Sequence, residues 1–470
     1  MTKKTEFQKV KIVATLGPAS ESAEMILELA KRGVNMFRIN LSHATVDEVR
    51  MRIKRVRAAE RQLGKPLAVL GDLAGPKIRI GDVKPNFVLH AGQVIKVFAK
   101  PVIGSEDGIS INIPSILKHI EPGAEIFLDD GLLKLEVEKV SPDCVHARVL
   151  FGGLLKPRKS FSVHGIIVEN FSLSAKDKSD IKLMVAEGAD MIAVSFVQTH
   201  NDINAVKKLL PRGKAPFVIA KIETPSAVQN IESITEAADG IMIARGDLGL
   251  AVPMSELPHI QKYLTRIALR HGKPVITATQ MLESMTHNPL PTRAEVADVA
   301  NAIVDGTDAI MLSGETAGGK HPAEVVKMMA EIVHTSVPHV EERTFPDQDS
   351  ATDAVSASAV KIAEQTGSKL IIAFTQSGTT ARRIARHKPH QPIIALTPSA
   401  HVIRELAISW GIYSMPTKLV KNLDAIIEEA KRVARNNPVY PLKKGESFII
   451  CAGVPFGQAG TSNWVLVQKV

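Results

Sequence analysis

Short apolar runs recur along this chain, separated by longer stretches in which apolar positions repeat at helical spacing. Runs bounded by polar residues read as buried strands, and 3.6-periodic stretches read as amphipathic helices. The pattern predicts strands over residues 11–17, 35–40, 67–73, 191–196, 217–223, 240–246, 274–280 and 309–313. It predicts helices over 23–31, 46–61, 176–187, 202–210, 226–237, 259–270, 292–304 and 323–333. Strand followed by helix is the signature of parallel β/α units, and eight such units suffice to close a cylinder.

One interval breaks the rhythm. From residue 75 to about 171 the chain turns to alternating short strands with turn chemistry such as Asp129-Asp130-Gly131 and Gly152-Gly153. After residue 346 the α/β alternation resumes, with strands predicted at 369–375, 392–397, 411–415, 447–453 and 464–467. The expected fold class is α/β: a (β/α)8 TIM barrel with an inserted small β-barrel domain and a C-terminal open α/β sheet domain. The barrel is assigned to 1–73 and 172–345, the insert to 74–171 and the C-terminal domain to 346–470.

Composition narrows the function. A chain of 470 residues exceeds one compact core, and a hydrophobic share of 45% supports buried sheets. Aromatics at 4% argue against a base-stacking surface, and no apolar run is long enough to span a bilayer, so neither a nucleic-acid partner nor a membrane is expected. The opening residues lack the apolar stretch of a secretory signal and are expected to form a short solvated arm. Cys144 and Cys451 lie far apart without metal or disulfide spacing, as suits a reducing, cytoplasmic setting. The net charge of +9 suits nucleic acid or small anionic substrates equally. The densest basic segments, 52–61 and 382–388, have helical apolar spacing, which predicts charged solvent faces.

Polar residues at the carboxyl ends of barrel strands need a reason, because chemistry sits at that end of this architecture. Here they gather: Arg38, Asn40 and Ser42 after the second strand, Asp72 after the third, Ser195 after the fourth, and Lys221 with Glu223 at the fifth. Arg245 and Asp247 close the sixth, Thr277, Thr279 and Gln280 the seventh, and Ser313 with Glu315 the eighth. The two-residue period of a strand puts Lys221 and Glu223 on one side. A structural ion pair would explain them, but burying charges without further compensation is costly. Asp247, after Gly246, can join Glu223 as a second hard oxygen donor, and two carboxylates with open water positions suit Mg2+ or Mn2+. Lys221 and Arg38 would then neutralise a transferring phosphate.

At these residues the chain closely resembles the pyruvate kinase family, and the match runs through essentially its whole length. The most specific stretches are 34–43 around Arg38 and Asn40, Lys221-Ile222-Glu223, 241–249, 276–289, 291–295 and 305–316, with Gly75-Pro76-Lys77-Ile78-Arg79 as a further landmark. The resemblance implies phosphoryl transfer from phosphoenolpyruvate to ADP, giving pyruvate and ATP. Glu223 and Asp247 would ligate the divalent ion, and Lys221 would stabilise the phosphoryl group in flight. Arg38 would hold phosphate. Thr279, Ser195 and the Gly246–Asp247 backbone would border the substrate, while Asn40, His43, Arg79 and Lys159 would approach the nucleotide as the insert closes as a lid.

Many members bind K+ through the positions of Asn40, Ser42 and Asp72 and carry glutamate where this chain has Lys77. A fixed ammonium at that position would replace the ion, so K+ is not expected to be required. In the C-terminal domain Thr375, Ser377, Gly378, Thr379 and Thr380 form a strand-to-helix loop able to offer amides and hydroxyls to a phosphate. The resemblance implies an allosteric phosphorylated effector there, a Gly-Thr-Ser-Asn turn within 454–463, and a homotetramer. Two other readings compete. A barrel lyase acting on pyruvate would need neither Lys221 nor the insert, and a metabolite sensor would have lost Lys221, Glu223, Asp247 or Thr279, all of which are present.

Overall fold

Strands β1 (Lys11–Leu16), β2 (Val34–Asn40), β3 (Ala68–Asp72), β4 (Met191–Val194), β5 (Phe217–Ile222), β6 (Gly240–Ala244), β7 (Val275–Ala278) and β8 (Ala309–Leu312) pair in parallel and close into a barrel in the order β1-β8-β7-β6-β5-β4-β3-β2. The structure is a computed structural model that describes residues 8–164, 173–345, 350–419, 422–453 and 462–470. The expected (β/α)8 barrel is present. Both faces of its strands are buried, which is why they read as near-continuous apolar runs. Helices are started by local chemistry: capping boxes at Thr45/Glu48, Ser174/Asp177 and Thr292/Glu295 open Val46–Leu63, Ala175–Ala186 and Arg293–Val304.

Inside the cylinder, alternate residues of the strands form a separate apolar layer that includes Met36, Leu70, Ala193, Ile219, Ile276 and Met311. Ile408 of the C-terminal domain packs into the same cluster. Two residues further along four of these strands, on the same inward side, stand Arg38, Asp72, Ser195 and Lys221. The apolar layer is therefore the floor on which the polar rim is built.

The insert holds a six-stranded sheet in the order Phe161–Val163, Glu125–Leu128, Leu133–Val140, Cys144–Phe151, Val94–Phe98, Gly108–Ser110, beside a short pair, Val88–Leu89 with Gly153–Leu154. Among the described residues its edges meet through single bridges, Arg79 to Ser160 and Ile80 to Ile111, so the expected small β-barrel is a partly closed one. The Asp129-Asp130-Gly131 turn is real, with φ of +51°, +54° and +90°. The C-terminal sheet is open and mixed: Ile412–Pro416, Ile393–Thr397, Ile371–Phe374 and Ser447–Gly453 run parallel, and Ser462–Lys469 adds antiparallel to the last. The first seven residues of the expected N-terminal arm, and 454–461 of the expected turn at 454–463, lie outside the described residues.

Three local expectations change. The strand expected over 240–246 stops at Ala244, and Arg245 opens a helix, Arg245–Ala251. The helix expected over 226–237 is two, Pro225–Gln229 and Ile231–Ala237, because Asn230 leaves helical geometry at φ −97° and ψ 17°. The basic stretch 382–388 is not a solvent face. Arg386, His387 and Lys388 are buried between the C-terminal domain and the barrel. In 52–61 Lys54 and Arg61 are exposed as expected, but Arg52 is buried on Glu21, with N–O distances of 2.9 and 2.6 Å. Among the described residues no helix is long and apolar enough to cross a membrane.

The seam is organised by Asp308, the residue before β8. Its Oδ1 accepts from Lys388 Nζ at 3.0 Å and Trp410 N at 2.9 Å, and Oδ2 accepts from Val275 N at 3.1 Å. Lys388 is fully buried, 4.9 Å from the Trp410 ring centroid. Burial pulls its pKa down, and Asp308 opposes that pull. Lys388→Met should therefore lower stability by about 3–5 kcal/mol, because it strands a buried carboxylate. Chemical denaturation checks this, and an unchanged midpoint would show that the pair is not essential to the seam.

Candidate active site

The fifth strand delivers the centre of the site. Lys221 lies in β5 and Glu223 follows it, so both emerge on the inner side while Ile222 packs outward into the helix layer. Lys221 Nζ donates to Ser195 Oγ at 2.7 Å and lies 3.2 Å from Asp72 Oδ1 and 3.0 Å from Glu223 Oε1. Asp72 is shared with Arg38, whose Nε donates to Oδ2 at 2.7 Å while Nη1 donates to Thr15 Oγ1 at 3.1 Å. Ser195 Oγ in turn donates to the Leu73 carbonyl at 2.8 Å. Six side chains from five adjacent strands thus form one largely buried group joined by hydrogen bonds and ion pairs.

Burial disfavours every charge in this group, and the charges answer one another. Burial pushes the Asp72 pKa up, but Lys221 and Arg38 outweigh it and hold the carboxyl below its ordinary range. Burial pulls Lys221 down, yet Asp72 and Glu223 raise it well above the usual lysine range. Glu223 is the exception. Burial raises it, Lys221 opposes, and the nearby charge of Asp247 adds to the rise. Its Oε2 accepts from Phe196 N at 2.8 Å, whereas Oε1, although near Lys221, is off the line of a hydrogen bond and has no hydrogen-bond partner. A carboxylate held up by burial, with an orphaned oxygen, is suited to a cation.

Asp247 stands on the first turn of Arg245–Ala251 and meets Lys77 from the insert, Nζ to Oδ1 at 2.9 Å. Three cations, Arg38, Lys77 and Lys221, thus face three carboxylates, Asp72, Glu223 and Asp247. Lys77 enters next to Gly75, whose φ of +65° and closeness to Ser195, 2.8 Å from an added Cβ, leave no room for a side chain. At β7, Thr279 Oγ1 accepts from Gly246 N at 2.7 Å and donates to the Ala278 carbonyl at 2.6 Å. The Gly246 amide expected near the substrate carboxylate is therefore engaged by Thr279 in this state.

The remaining expected residues fall in three places. Asn40 ends β2 beside Asp72 and its Oδ1 accepts from Ser42 N at 3.0 Å, with His43 in the turn that follows. Lys77 does not join them; its ion pair is with Asp247. Arg79 and Lys159 are neighbours in the insert. Arg79 Nη1 donates to the Arg158 carbonyl at 3.0 Å, and Lys159 Nζ lies 2.7 Å from Asp129 Oδ1. Thr375, Ser377, Gly378, Thr379 and Thr380 lie in the C-terminal domain, where Ser377 and Thr379 hydroxyls are 2.9 Å apart and Thr380 Oγ1 touches Ser462 Oγ. Gly378 takes φ +79° to enter the helix Thr379–Ala385.

Two participants escaped sequence reasoning as to role. Thr15, which holds Arg38, is a single hydroxyl in an apolar strand and carries no local signal. Arg245 was visible as a charge closing the sixth strand, but it turns away from the carboxylates to bind Asp298 and the backbone after β7.

Comparison with known proteins fits this geometry. The family model "Pyruvate kinase, barrel domain" matches residues 7–326, and "Pyruvate kinase, alpha/beta domain" matches 353–468. A pyruvate kinase of Methylorubrum extorquens is 42% identical over 471 residues, covering 98% of this chain and 98% of its own. One from Geobacillus stearothermophilus is 40% identical over 474 residues, covering 98% of this chain and 80% of its own. One from Staphylococcus aureus is 40% identical over 473 residues with the same coverage. A closed parallel barrel with a lysine and carboxylates at its carboxyl-end rim, and a match through both of its family segments, place this chain in the pyruvate kinase family of phosphotransferases.

Proposed function

We propose that this enzyme transfers the phosphoryl group of phosphoenolpyruvate to ADP, giving pyruvate and ATP in glycolysis, at the rim formed by Lys221, Glu223 and Asp247. The observation that carries the reading is the Lys221 ammonium held between Asp72, Glu223 and Ser195 beside an unpartnered carboxylate oxygen. Glu223 and Asp247 would hold the divalent cation, Mg2+ or Mn2+. Among the described residues no group of three or more His, Cys, Asp or Glu is placed to hold a metal ion, so substrate oxygens and water would complete the shell around these two carboxylates. When bound, such a cation offsets negative charge on phosphate oxygens.

The protein's own contribution is positioning and charge. Lys221 faces the transferring group, and Arg38 is oriented by Asp72 and Thr15 so that its remaining nitrogen, Nη2, can meet phosphate. Thr279, Ser195 and the Gly246–Asp247 backbone border the enolpyruvate half. Once the substrate carboxylate arrives, the Thr279 hydroxyl and the Gly246 amide exchange each other for it. Asn40, His43, Arg79 and Lys159 receive the nucleotide as the insert, 74–171, closes on the barrel, 1–73 with 172–345. Lys77, already on the rim through Asp247, supplies the positive charge for which relatives use K+. The loop at Thr375, Ser377, Gly378, Thr379 and Thr380, in the domain 346–470, binds a phosphorylated activator. The working form is a cytoplasmic homotetramer.

Three outcomes test this reading. Lys221→Met should lower kcat by about 10³-fold or more, and Glu223→Gln should raise the Mg2+ concentration needed for half-maximal rate, both read by coupling pyruvate formation to its reduction. Full activity should persist when K+ is replaced by tetramethylammonium at constant ionic strength, whereas Lys77→Met should lose activity in the same medium. Loss of wild-type activity on that exchange would refute K+ independence. A panel of sugar phosphates should contain one that shifts the phosphoenolpyruvate saturation curve to lower concentration, and Thr380→Ala should abolish the shift; no shift by any member would leave the loop without an effector role.

A further inference from the structure

At the end of β7 the backbone follows a strained course. Thr279 has φ +68° and Gln280 φ +53°, two consecutive left-handed residues, the first β-branched. Such a path persists only where the surroundings over-determine it. Arg245 supplies that restraint. Its Nη2 donates to the Thr279 carbonyl at 2.9 Å and the Gln280 carbonyl at 3.1 Å, and its Nε lies 3.3 Å from the same Thr279 carbonyl. Nη1 donates to both oxygens of Asp298, at 2.8 and 2.7 Å. Arg245 is buried, and Asp298 rides on the helix Arg293–Val304 that follows β7.

The guanidinium grips the main chain of this turn and leaves the Thr279 side chain alone. The hydroxyl is held instead by Gly246 N and the Ala278 carbonyl. Its Cα can therefore stay fixed while the hydroxyl changes partners. Arg245 also sits immediately before Gly246 and Asp247, so one planar fork ties the metal-binding arm after β6 to the threonine after β7. A lysine, with one point charge, cannot span two carbonyls and a carboxylate in this way.

We propose that Arg245, oriented by Asp298, is a positioning residue that sets the Thr279–Gln280 turn and the Gly246–Asp247 arm at the distance the enolpyruvate half of the substrate requires. It touches neither phosphate nor nucleotide. This rests on the function proposed above, and its signature is selective: the phosphoenolpyruvate side of the reaction suffers and the ADP side does not.

The test uses the full-length enzyme with saturating Mg2+ and two variants, Arg245→Lys and Asp298→Asn, each measured for kcat, both KM values and thermal midpoint. Arg245→Lys should lower kcat/KM for phosphoenolpyruvate by about 10²-fold, the scale of a small misplacement of reacting groups. Asp298→Asn, which weakens the fork's anchor without removing it, should lower it by about 10-fold. In both variants the KM for ADP should stay within about twofold of wild type, with an unchanged pH profile. Equal losses toward both substrates, or losses that only follow the unfolded fraction, would assign Arg245 a purely structural role and overturn the inference. So would a phosphoenolpyruvate kcat/KM within about threefold of wild type in both variants. If Arg245→Lys fails to fold, Asp298→Asn decides on the same criteria. A wild-type enzyme that forms no pyruvate would instead defeat the proposed function.

Discussion

A lysine ammonium buried with two carboxylates is the interaction on which the rest of the molecule depends. Lys221, Asp72 and Glu223 are each almost removed from water, and each makes the ionised state of the others tolerable. Taken singly, any of them would shift toward its neutral form or force local rearrangement. Arg38 takes the Asp72 oxygen that Lys221 does not reach, and Ser195 lies between Lys221 and the other one. The members come from β2, β3, β4 and β5, so strand register decides whether the group exists at all. A slip of one residue in β5 would send Lys221 and Glu223 into the helix layer and bring Ile222 to the rim. Closure of the cylinder, which leaves no sheet edge free to slide, prevents that slip.

The balance of the group is uneven. Asp72 is fully compensated, whereas Glu223 keeps an oxygen without a hydrogen bond and is raised further by Asp247. Charge is thus satisfied at Asp72 and left incomplete at Glu223, the side proposed to meet a cation. The apolar layer beneath excludes water from below, and Ile408 of the C-terminal domain extends that layer at the bottom. The polar rim and the C-terminal domain are therefore two ends of one packed column.

Strand β7 links them. At its start Val275 N is held by Asp308, the carboxylate that also holds Lys388 and Trp410 of the C-terminal domain. At its end the Thr279 and Gln280 carbonyls are held by Arg245. A four-residue strand fixed at both ends transmits displacement more readily than it absorbs it, because packed interiors have little slack. The insert is attached differently, through Lys77 on Asp247 and contacts at the Arg245–Ala251 helix and its C-terminal end, such as His164 to the Val252 carbonyl at 2.9 Å. Among the described residues those contacts are partly exposed.

The alternation of apolar runs and amphipathic stretches determined the barrel, because strands buried on both faces and helices buried on one impose periods that survive in a linear chain. The same period of two placed Lys221 and Glu223 together, and turn chemistry announced Asp129-Asp130-Gly131. Periodicity says which side of an element is charged but not what that side faces, so 382–388 read as a solvent face and proved to be a domain seam. The apolar run read as strand through Gly246, yet the strand stops at Ala244 and the next residues form a helix that buries Leu248. The task of Arg245 was beyond reach for a further reason: it depends on the left-handed backbone at Thr279 and on a carboxylate 53 residues away. Local pattern records short-range geometry, whereas the partner of a buried charge is chosen by contacts that exist only once the cylinder has closed.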